Sequence, residues 1–423
     1  MSNTQTKNVP ELRFPGFEGE WEEKKLGDLG LFQKSYSFSR AKEGNGKTKH
    51  IHYGDIHSKF KTVLDSDGNI PNIIEKAVFE LIQKGDIVFA DASEDYSDLG
   101  KAVMIDFKPN SLISGLHTHL FRPLNNAISN FLIFYTKTLS YKKFIRQQGT
   151  GISVLGISKK SLLNLNVLIP RSELEQQKVG KFFSKLDRQI ELQEQKLELL
   201  QQQKKGYMQK IFSQELRFKD ENGNDYPEWE NVMLQKVLKD KTEGIKRGPF
   251  GGALKKDIFV ESGYAVYEQR NAIYDISNFR YYINENKYKE MQSFSVQPND
   301  IIMSCSGTIG RLALIPHNYT KGIINQALIR FRTNHKIRSE FFLIFMRSNQ
   351  MQRKILEANP GSAITNLVPV KELKLIPFPL PVKFEQDKIS QFIHIINRRI
   401  EQSEKKIESL KNRKQGFLQK LFV

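Results

Sequence analysis

The chain is written twice, and that limits its architecture more than any other feature. Glu11-Leu12-Arg13-Phe14 recurs as Glu215-Leu216-Arg217-Phe218, and Glu20-Trp21-Glu22 recurs as Glu228-Trp229-Glu230. These hold the only two tryptophans in the sequence. Glu175-Gln176-Gln177-Lys178 matches Glu385-Gln386-Asp387-Lys388, and KKGYMQKIF (Lys204 to Phe212) matches KQGFLQKLF (Lys414 to Phe422). The offset stays near 210 residues in a chain of 423, so one module has been duplicated. A chain of this length needs two or three cores, and the repeat makes two of them alike.

The end of each copy has the clearest periodicity. Val179, Phe183, Leu186, Ile190, Gln193, Leu197, Leu200, Lys204, Tyr207 and Ile211 advance in steps of four and three. Ile389, Ile393, Ile396, Ile400, Ser403, Ile407, Leu410, Lys414, Phe417 and Leu421 do the same. A 3.5-residue period held this long specifies a coiled-coil seam on helices about 50 Å long. The polar breaks fall at matching places, Gln193 with Ser403 and Lys204 with Lys414, where they fix register at some cost in stability. Two helices of equal length with matched breaks are expected to pair with each other.

The body of each copy has short strand-like runs separated by Gly, Asn, Asp and Pro. Asp86–Ala90 and Lys101–Ile105 in the first copy correspond to Asp300–Met303 and Arg311–Ile315 in the second. One helix is expected over Phe131–Arg146 and one over Phe341–Glu357, then a Gly-containing loop, a Leu-rich run and Pro170 or Pro381. The fold class is therefore α+β: two tandem domains separated by two long helices that pair as an antiparallel coiled coil with pseudo-two-fold symmetry. The expected boundaries are 1–20 for a segment completing the cyclic repeat, 21–170 and 215–381 for the domains, and 171–214 and 382–423 for the helices. The second copy stops at Phe422-Val423, where the first continues into ELRF. The N-terminal ELRF should supply that missing piece and bring the termini together. The loops between matched strands barely align, ASEDYSDLG against SCSGTIG. Loops carry recognition on a rigid frame, so the two copies should read two different things.

Lys and Arg outnumber Asp and Glu by 65 to 47, a net charge of +18, which favours a polyanionic partner. The N-terminus lacks the apolar stretch of a secretory signal, and no run reaches the roughly 18 apolar residues of a membrane span. Cys305 is the only cysteine, which leaves no disulfide frame and no cysteine zinc site. A cytoplasmic protein with no membrane association is expected.

Catalytic signatures are weak. Ala41-Lys42-Glu43-Gly44-Asn45-Gly46-Lys47-Thr48 has the spacing of a phosphate-binding P-loop, but a buried strand should precede it and a helix should follow. The preceding FQKSYSFSR is polar and the following HIHYGDIH reads as a strand, so a flexible basic loop is expected there. His50, His52 and His57, with His117 and His119, have no cysteine among them and no aligned counterparts, and read as DNA-facing or solvated. The acidic Asp91, Glu94, Asp95 and Asp98 read as a solvated turn. Asn359-Pro360-Gly361 only begins like an amino-methyltransferase motif. No catalytic and no metal-binding residue is assigned.

Two basic stretches stand at matching places. Lys34, Arg40, Lys42, Lys47 and Lys49 lie in the first; Lys241, Lys246, Arg247, Lys255 and Lys256 lie in the second. Basic groups interleaved with Gly and aromatics suit contact with phosphates, which positions a protein without reading bases. Base readout in the major groove needs paired donors and acceptors. The candidates are Ser93, Tyr96, His117 and Thr118 in the first copy, and Ser304, Ser306, Thr308, Asn325 and Gln326 in the second.

With its duplicated layout, opening ELRFPGFEGEWEEKKLGDL, run GPFGGALK from Gly248 to Lys255, strand-turn NDIIMSCSGTIGRLAL and helix ends QKIF and QKLF, the chain resembles the specificity subunit of type I restriction–modification systems over essentially its whole length. The resemblance implies two target-recognition domains, each binding one half of a split double-stranded DNA target. It implies that the paired helices set the spacer and dock two methyltransferase (modification) subunits, with motor-nuclease (restriction) subunits in the full complex. It further implies a non-catalytic chain, with S-adenosylmethionine, ATP and magnesium on those partners. A coiled-coil DNA-binding scaffold outside restriction is the alternative.

Overall fold

The computed structural model describes residues 8–240, 243–250, 252–356 and 369–423; Lys241, Gly251, Glu357 and Asn359-Pro360-Gly361 lie outside the described residues. By internal contacts the chain falls into two units, Met1–Lys196 with Ser403–Val423, and Leu197–Gln402. Both divisions cut a long helix, Glu173–Phe212 of 40 residues and Lys383–Lys420 of 38 residues. Each unit therefore combines an α+β body with part of each helix. Among the described residues no helix is long and apolar enough to cross a membrane.

The first unit is built on a five-stranded sheet in the order Gly30–Phe32, Thr118–Pro123, Ile87–Ala90, Ala102–Ile105, Val63–Leu64. A second sheet runs Asn72–Ile73, Glu43–Ile51, Leu112–Ser114, its last pair parallel. A two-stranded ribbon, Glu22–Lys25 with Asn166–Ile169, ties the start of the body to its end. The second unit repeats the plan: Ile245–Arg247, Leu328–Phe331, Ile301–Ser304, Leu312–Leu314 in one sheet, and Phe259–Val260, Tyr282–Ile283, Tyr264–Tyr267, Gly322–Ile324 in the other. Its ribbon is Glu230–Met233 with Pro377–Leu380.

The same devices hold both sheets. Asp86 is buried, accepts from the Gln83 backbone N–H at 2.8 Å and receives two hydrogen bonds from Arg122. Asp300 does the same with the Gln297 N–H at 2.7 Å and with Arg332. Each aspartate follows a residue at positive φ, Gly85 (91°) or Asn299 (69°), the types that adopt this conformation at least cost.

Each unit closes on a buried glutamate at the start of a long helix. Glu175 accepts two hydrogen bonds from Arg13, at 2.7 and 2.8 Å, and one from Trp21 Nε1 at 3.3 Å. Glu385 accepts from Arg217 at 3.2 and 2.9 Å and from Trp229 Nε1 at 2.8 Å. Hydrogen bonding to these carboxylates holds both guanidinium groups above their ordinary pKa. The neighbouring Gln176 and Gln386 each donate to a proline carbonyl, Pro170 or Pro381, at 2.7 Å. Beside the clamp the indole packs on the phenylalanine that ends the repeat: Trp21 on Phe422 and Trp229 on Phe212, both at 6.5 Å between ring centres.

The N-terminal ELRF completes the first unit. Leu12 N–H donates to Lys420 carbonyl at 2.8 Å and Glu11 pairs with Lys420 at 2.6 Å. In the second unit, where the chain is continuous, Leu216 N–H donates to the equivalent Lys210 carbonyl at 3.0 Å.

The long helices pack antiparallel within each unit. In the first, Phe182 meets Phe417 at 5.0 Å, Asp187 pairs with Lys414, and Glu194 pairs with Lys411 at 2.7 Å. Val179, Phe183, Leu186, Ile190, Ile407 and Leu410 are buried there. In the second, Ile389, Ile393 and Ile396 are buried, Leu197, Leu200 and Ile400 are half-buried, and Tyr207 meets Phe392 at 5.1 Å. Glycine at 180 permits close approach: a Cβ there would stand 2.6 Å from the Asn130 carbonyl.

The helix expected in each body is corrected. The single helix in each body is two: Asn126–Tyr135 and Leu139–Gln148, then Ser339–Met346 and Asn349–Leu356. The cause is a hydroxyl cap in mid-run. Thr138 accepts from the Tyr141 N–H and Ser348 from the Met351 N–H, which starts a new helix at each point.

The clamps make separable predictions. Removing one partner of a buried, hydrogen-bonded charge pair costs about 3–5 kcal/mol. Glu175→Ala should lower the stability of the first unit by that amount and leave the second nearly unchanged, and Glu385→Ala should do the reverse. Hydrogen exchange resolved by unit would check this; equal loss in both units would contradict it.

Candidate nucleic-acid interface

In each unit, one end of the main sheet gathers the loops. Thr118 pairs with Ala90 and Ser304 with Leu328, so the loop after the central strand and the loop before its neighbour leave the sheet together. In the first unit these are residues 91–101 and 115–117, joined by Asp91 N–H donating to His117 carbonyl at 3.0 Å. In the second they are 305–311 and 325–327, joined by Cys305 N–H donating to Ala327 carbonyl at 2.9 Å.

The basic stretches leave the edge strand beside these loops. In the first unit Tyr36 N–H donates to Ser114 carbonyl at 2.9 Å and Ser35 Oγ bonds Ser114 Oγ at 3.0 Å. In the second Gly248 N–H donates to Leu328 carbonyl at 2.9 Å, and a Cβ at Gly248 would lie 1.8 Å from the Asn325 carbonyl. Burial pushes the Cys305 thiol up, and Arg247 partly offsets it.

The phosphate candidates divide by what holds them. Lys34 is exposed, 5.2 Å over the Tyr36 ring, and Lys47, Arg247, Lys255 and Lys256 are also exposed; none has an ion pair among the described residues. Lys246 is half-buried, 4.7 Å over the Phe294 ring. Lys42 reaches Glu75 at 2.6 Å, and half-buried Lys49 turns to Asp67 at 3.4 Å. Arg40 bonds the buried Asp55 at 3.0 Å and Lys59 joins it. Burial pushes Asp55 up, but these two cations outweigh it and hold the carboxyl below its ordinary range. Arg40 is therefore a structural anchor.

The readout candidates divide by burial. Ser306, Thr308 and Gln326 are exposed; Ser306 Oγ donates to Gln269 Oε1 at 3.1 Å. Half-buried Asn325 spends its carbonyl on the Ala327 N–H at 3.0 Å. Tyr96 and His117 are 40% and half exposed, and His117 sits at φ 54° with Nδ1 3.3 Å from Asp91. Three candidates are corrected. Ser93, Thr118 and Ser304 are buried with hydroxyls committed to Asp95 N–H, to Ser114 Oγ and Gly115 carbonyl, and to Thr308 carbonyl and Arg311 N–H, so none can reach a base.

The histidines and the P-loop-like run also differ from expectation. Residues Glu43–Ile51 form a strand rather than a loop, and Tyr53–Ser58 a helix rather than a strand. His52 makes the change by accepting Gly54 N–H at 3.1 Å as the helix cap. His50 is fully buried with Nε2 3.2 Å from Glu43, and His119 Nε2 bonds the Ile157 carbonyl at 2.9 Å. Burial lowers the pKa of all three below the ordinary histidine value. They are packed structural groups and not DNA-facing. Asp95 organises its turn by accepting from Ser97 and Asp98. Among the described residues, no three His, Cys, Asp or Glu side chains gather to hold a metal ion.

Two residues escaped the sequence reading. The short helices Tyr53–Ser58 and Gln269–Tyr274 occupy equivalent places, and the first residue of each faces the loops: Tyr53 lies 5.3 Å from His117, and Gln269 bonds Ser306. The signal that could have found them is the shared position straight after the parallel-paired strand.

Known proteins share this design. The family model for the type I restriction modification DNA specificity domain matches residues 18–202 and again residues 251–412. A putative type I restriction enzyme MjaX specificity subunit of Methanocaldococcus jannaschii is 26% identical over 383 residues, 86% of each chain. The type I restriction enzyme MjaVIII specificity subunit of the same organism is 24% identical over 315 residues, 71% of each. The crystal structure of a type I restriction–modification S subunit from M. genitalium shares the fold, with TM-score 0.57 at 15% identity, covering 98% of this chain and 99% of that one. So does a chain from a structure concerning assembly and conformational transition of the type I R-M system, with TM-score 0.53 at 16% identity, covering 94% and 96%. The double match to the domain model, one in each copy of the repeat, places the chain in the family of type I restriction–modification DNA specificity subunits.

Proposed function

We propose that each unit reads one half of a split, asymmetric double-stranded DNA target, and that the chain directs a type I restriction–modification complex to it. The observation that carries this reading is the pair of equivalent sheets whose end loops differ. The first unit presents Tyr53, Tyr96 and His117; the second presents Gln269, Ser306, Thr308 and Gln326. A common frame with unlike donors and acceptors suits two readings of one kind of ligand. The net charge of +18 and the exposed cations beside the loops supply the sequence-independent attraction to phosphate.

The long helices act as the spacer. A 40-residue helix is about 60 Å long, enough to serve half-sites about one DNA turn, roughly 34–36 Å, apart. The same helices dock two methyltransferase subunits, and motor-nuclease subunits join for restriction. S-adenosylmethionine belongs to the methyltransferase subunits, and ATP with magnesium to the nuclease. This chain positions and reads.

Exchanging residues 220–380 for the same segment of another specificity subunit should change one half of the methylated motif and keep the other. Mapping modified adenines would check this, and a change in both halves would contradict independent reading. Inserting one heptad in both long helices should lengthen the unread spacer and leave both half-sites intact. An unchanged spacer would remove the ruler role.

A further inference from the structure

The first unit carries a basic helix and an apolar loop tip outside the candidate residues above. Residues 107–172 contain no Asp or Glu, yet hold nine cations. This acid-free span covers the helix Leu139–Gln148 and the loop that follows it. On the helix, Lys142, Lys143 and Arg146 are exposed and make no ion pair among the described residues. Such a surface, with no counter-charge of its own along the chain, is complementary to a polyanion.

The loop is closed and rigid. Thr150 and Gly156 exchange both backbone hydrogen bonds, at 3.0 and 2.7 Å. Gly151 sits at φ 125°, where a Cβ would strike the Val154 carbonyl at 2.0 Å, so only glycine fits the turn. The tip exposes Ile152 completely and Val154 at 61%. An apolar side chain held completely bare on a constrained tip invites a partner.

Its neighbours identify that partner. Leu155 and Gly156 pair with Ser93 and Ala92, and Ile157 N–H donates to Asp91 carbonyl at 2.9 Å. A Cβ at Gly149 would lie 3.0 Å from the Tyr96 ring. The loop is thus a direct continuation of the patch that presents Tyr96 and His117. The apolar group that the major groove offers is the thymine 5-methyl.

We infer that the loop Gly149–Gly156 is a reading element of the first unit, which sets Ile152 against a thymine methyl while Lys142, Lys143 and Arg146 hold the flanking phosphates. This rests on the proposed function and deepens it by naming a specificity residue.

The test uses the full chain assembled with its methyltransferase subunits, titrated with a DNA duplex carrying the mapped target. Replacing thymine by uracil, one position at a time in the first unit's half-site, should weaken binding several-fold at one position. In Ile152→Ala that position should become insensitive, with overall affinity about tenfold lower; Ile152→Val should keep the sensitivity and so report a folded loop. Replacing Lys142, Lys143 and Arg146 together by Ala should reduce the slope of log affinity against log salt by about 2–3 and leave the uracil profile alone. Equal uracil profiles for wild type and Ile152→Ala would overturn the inference. So would variants that bind DNA normally but lose the methyltransferase subunits, because the loop would then be a protein contact. A wild-type complex with no preference for the target would instead remove the proposed function, and this inference with it.

Discussion

A buried carboxylate at the start of each long helix holds the architecture together. Glu175 and Glu385 each gather an arginine and a tryptophan from a segment that lies far away in sequence. A buried ion pair contributes little net stability, because desolvation offsets the attraction. Its effect is discrimination: with one partner missing, the uncompensated charge is costly. The clamp therefore fixes which segment closes which unit. It does so regardless of the path of the chain. In the second unit the ELRF segment follows the helix directly; in the first it arrives from the other end of the sequence, and Leu12 makes the same backbone bond to Lys420 that Leu216 makes to Lys210.

The frame around the clamp is repeated closely and the surface is not. Asp86 with Arg122 and Asp300 with Arg332 brace the same turn in both sheets. The loops those sheets carry differ in chemistry, and the loop after the central strand also differs in length, 91–101 against 305–311. Even the helix pairing differs between units. Lys414 pairs with Asp187, whereas the residue equivalent to that aspartate is Asn397, and Lys204 is left half-buried with its pKa lowered by burial and by Arg347. A repeated frame with unlike loops lets recognition differ while the fold stays the same.

Much of this was legible in the sequence because it depends on periodicity and repetition. The seam followed from a 3.5-residue period, and the α+β bodies from short apolar runs between turn residues. The broken helices were hidden because Thr138 and Ser348 stand inside otherwise helical patterns, and only their cap bonds reveal the break. The interface was legible only as a region. Ser93, Thr118 and Ser304 are of the right chemical type, but their hydroxyls point into the protein, and residue type does not reveal direction. His50 and His52 misled for the same reason: a histidine on a strand can as well be a packed, neutral group or a helix cap as a surface one. Tyr53 and Gln269 differ in residue type, and only their equivalent places after the parallel-paired strands relate them.

Two unlike heads on one kind of frame are proposed to read two unlike half-sites. Genome-wide adenine methylation mapping, in cells with and without this chain, tests it most directly. A motif should appear only when the chain is present, made of two different short sequences around a fixed, unread spacer. A continuous motif, a perfect palindrome, or an unchanged methylation pattern would contradict it.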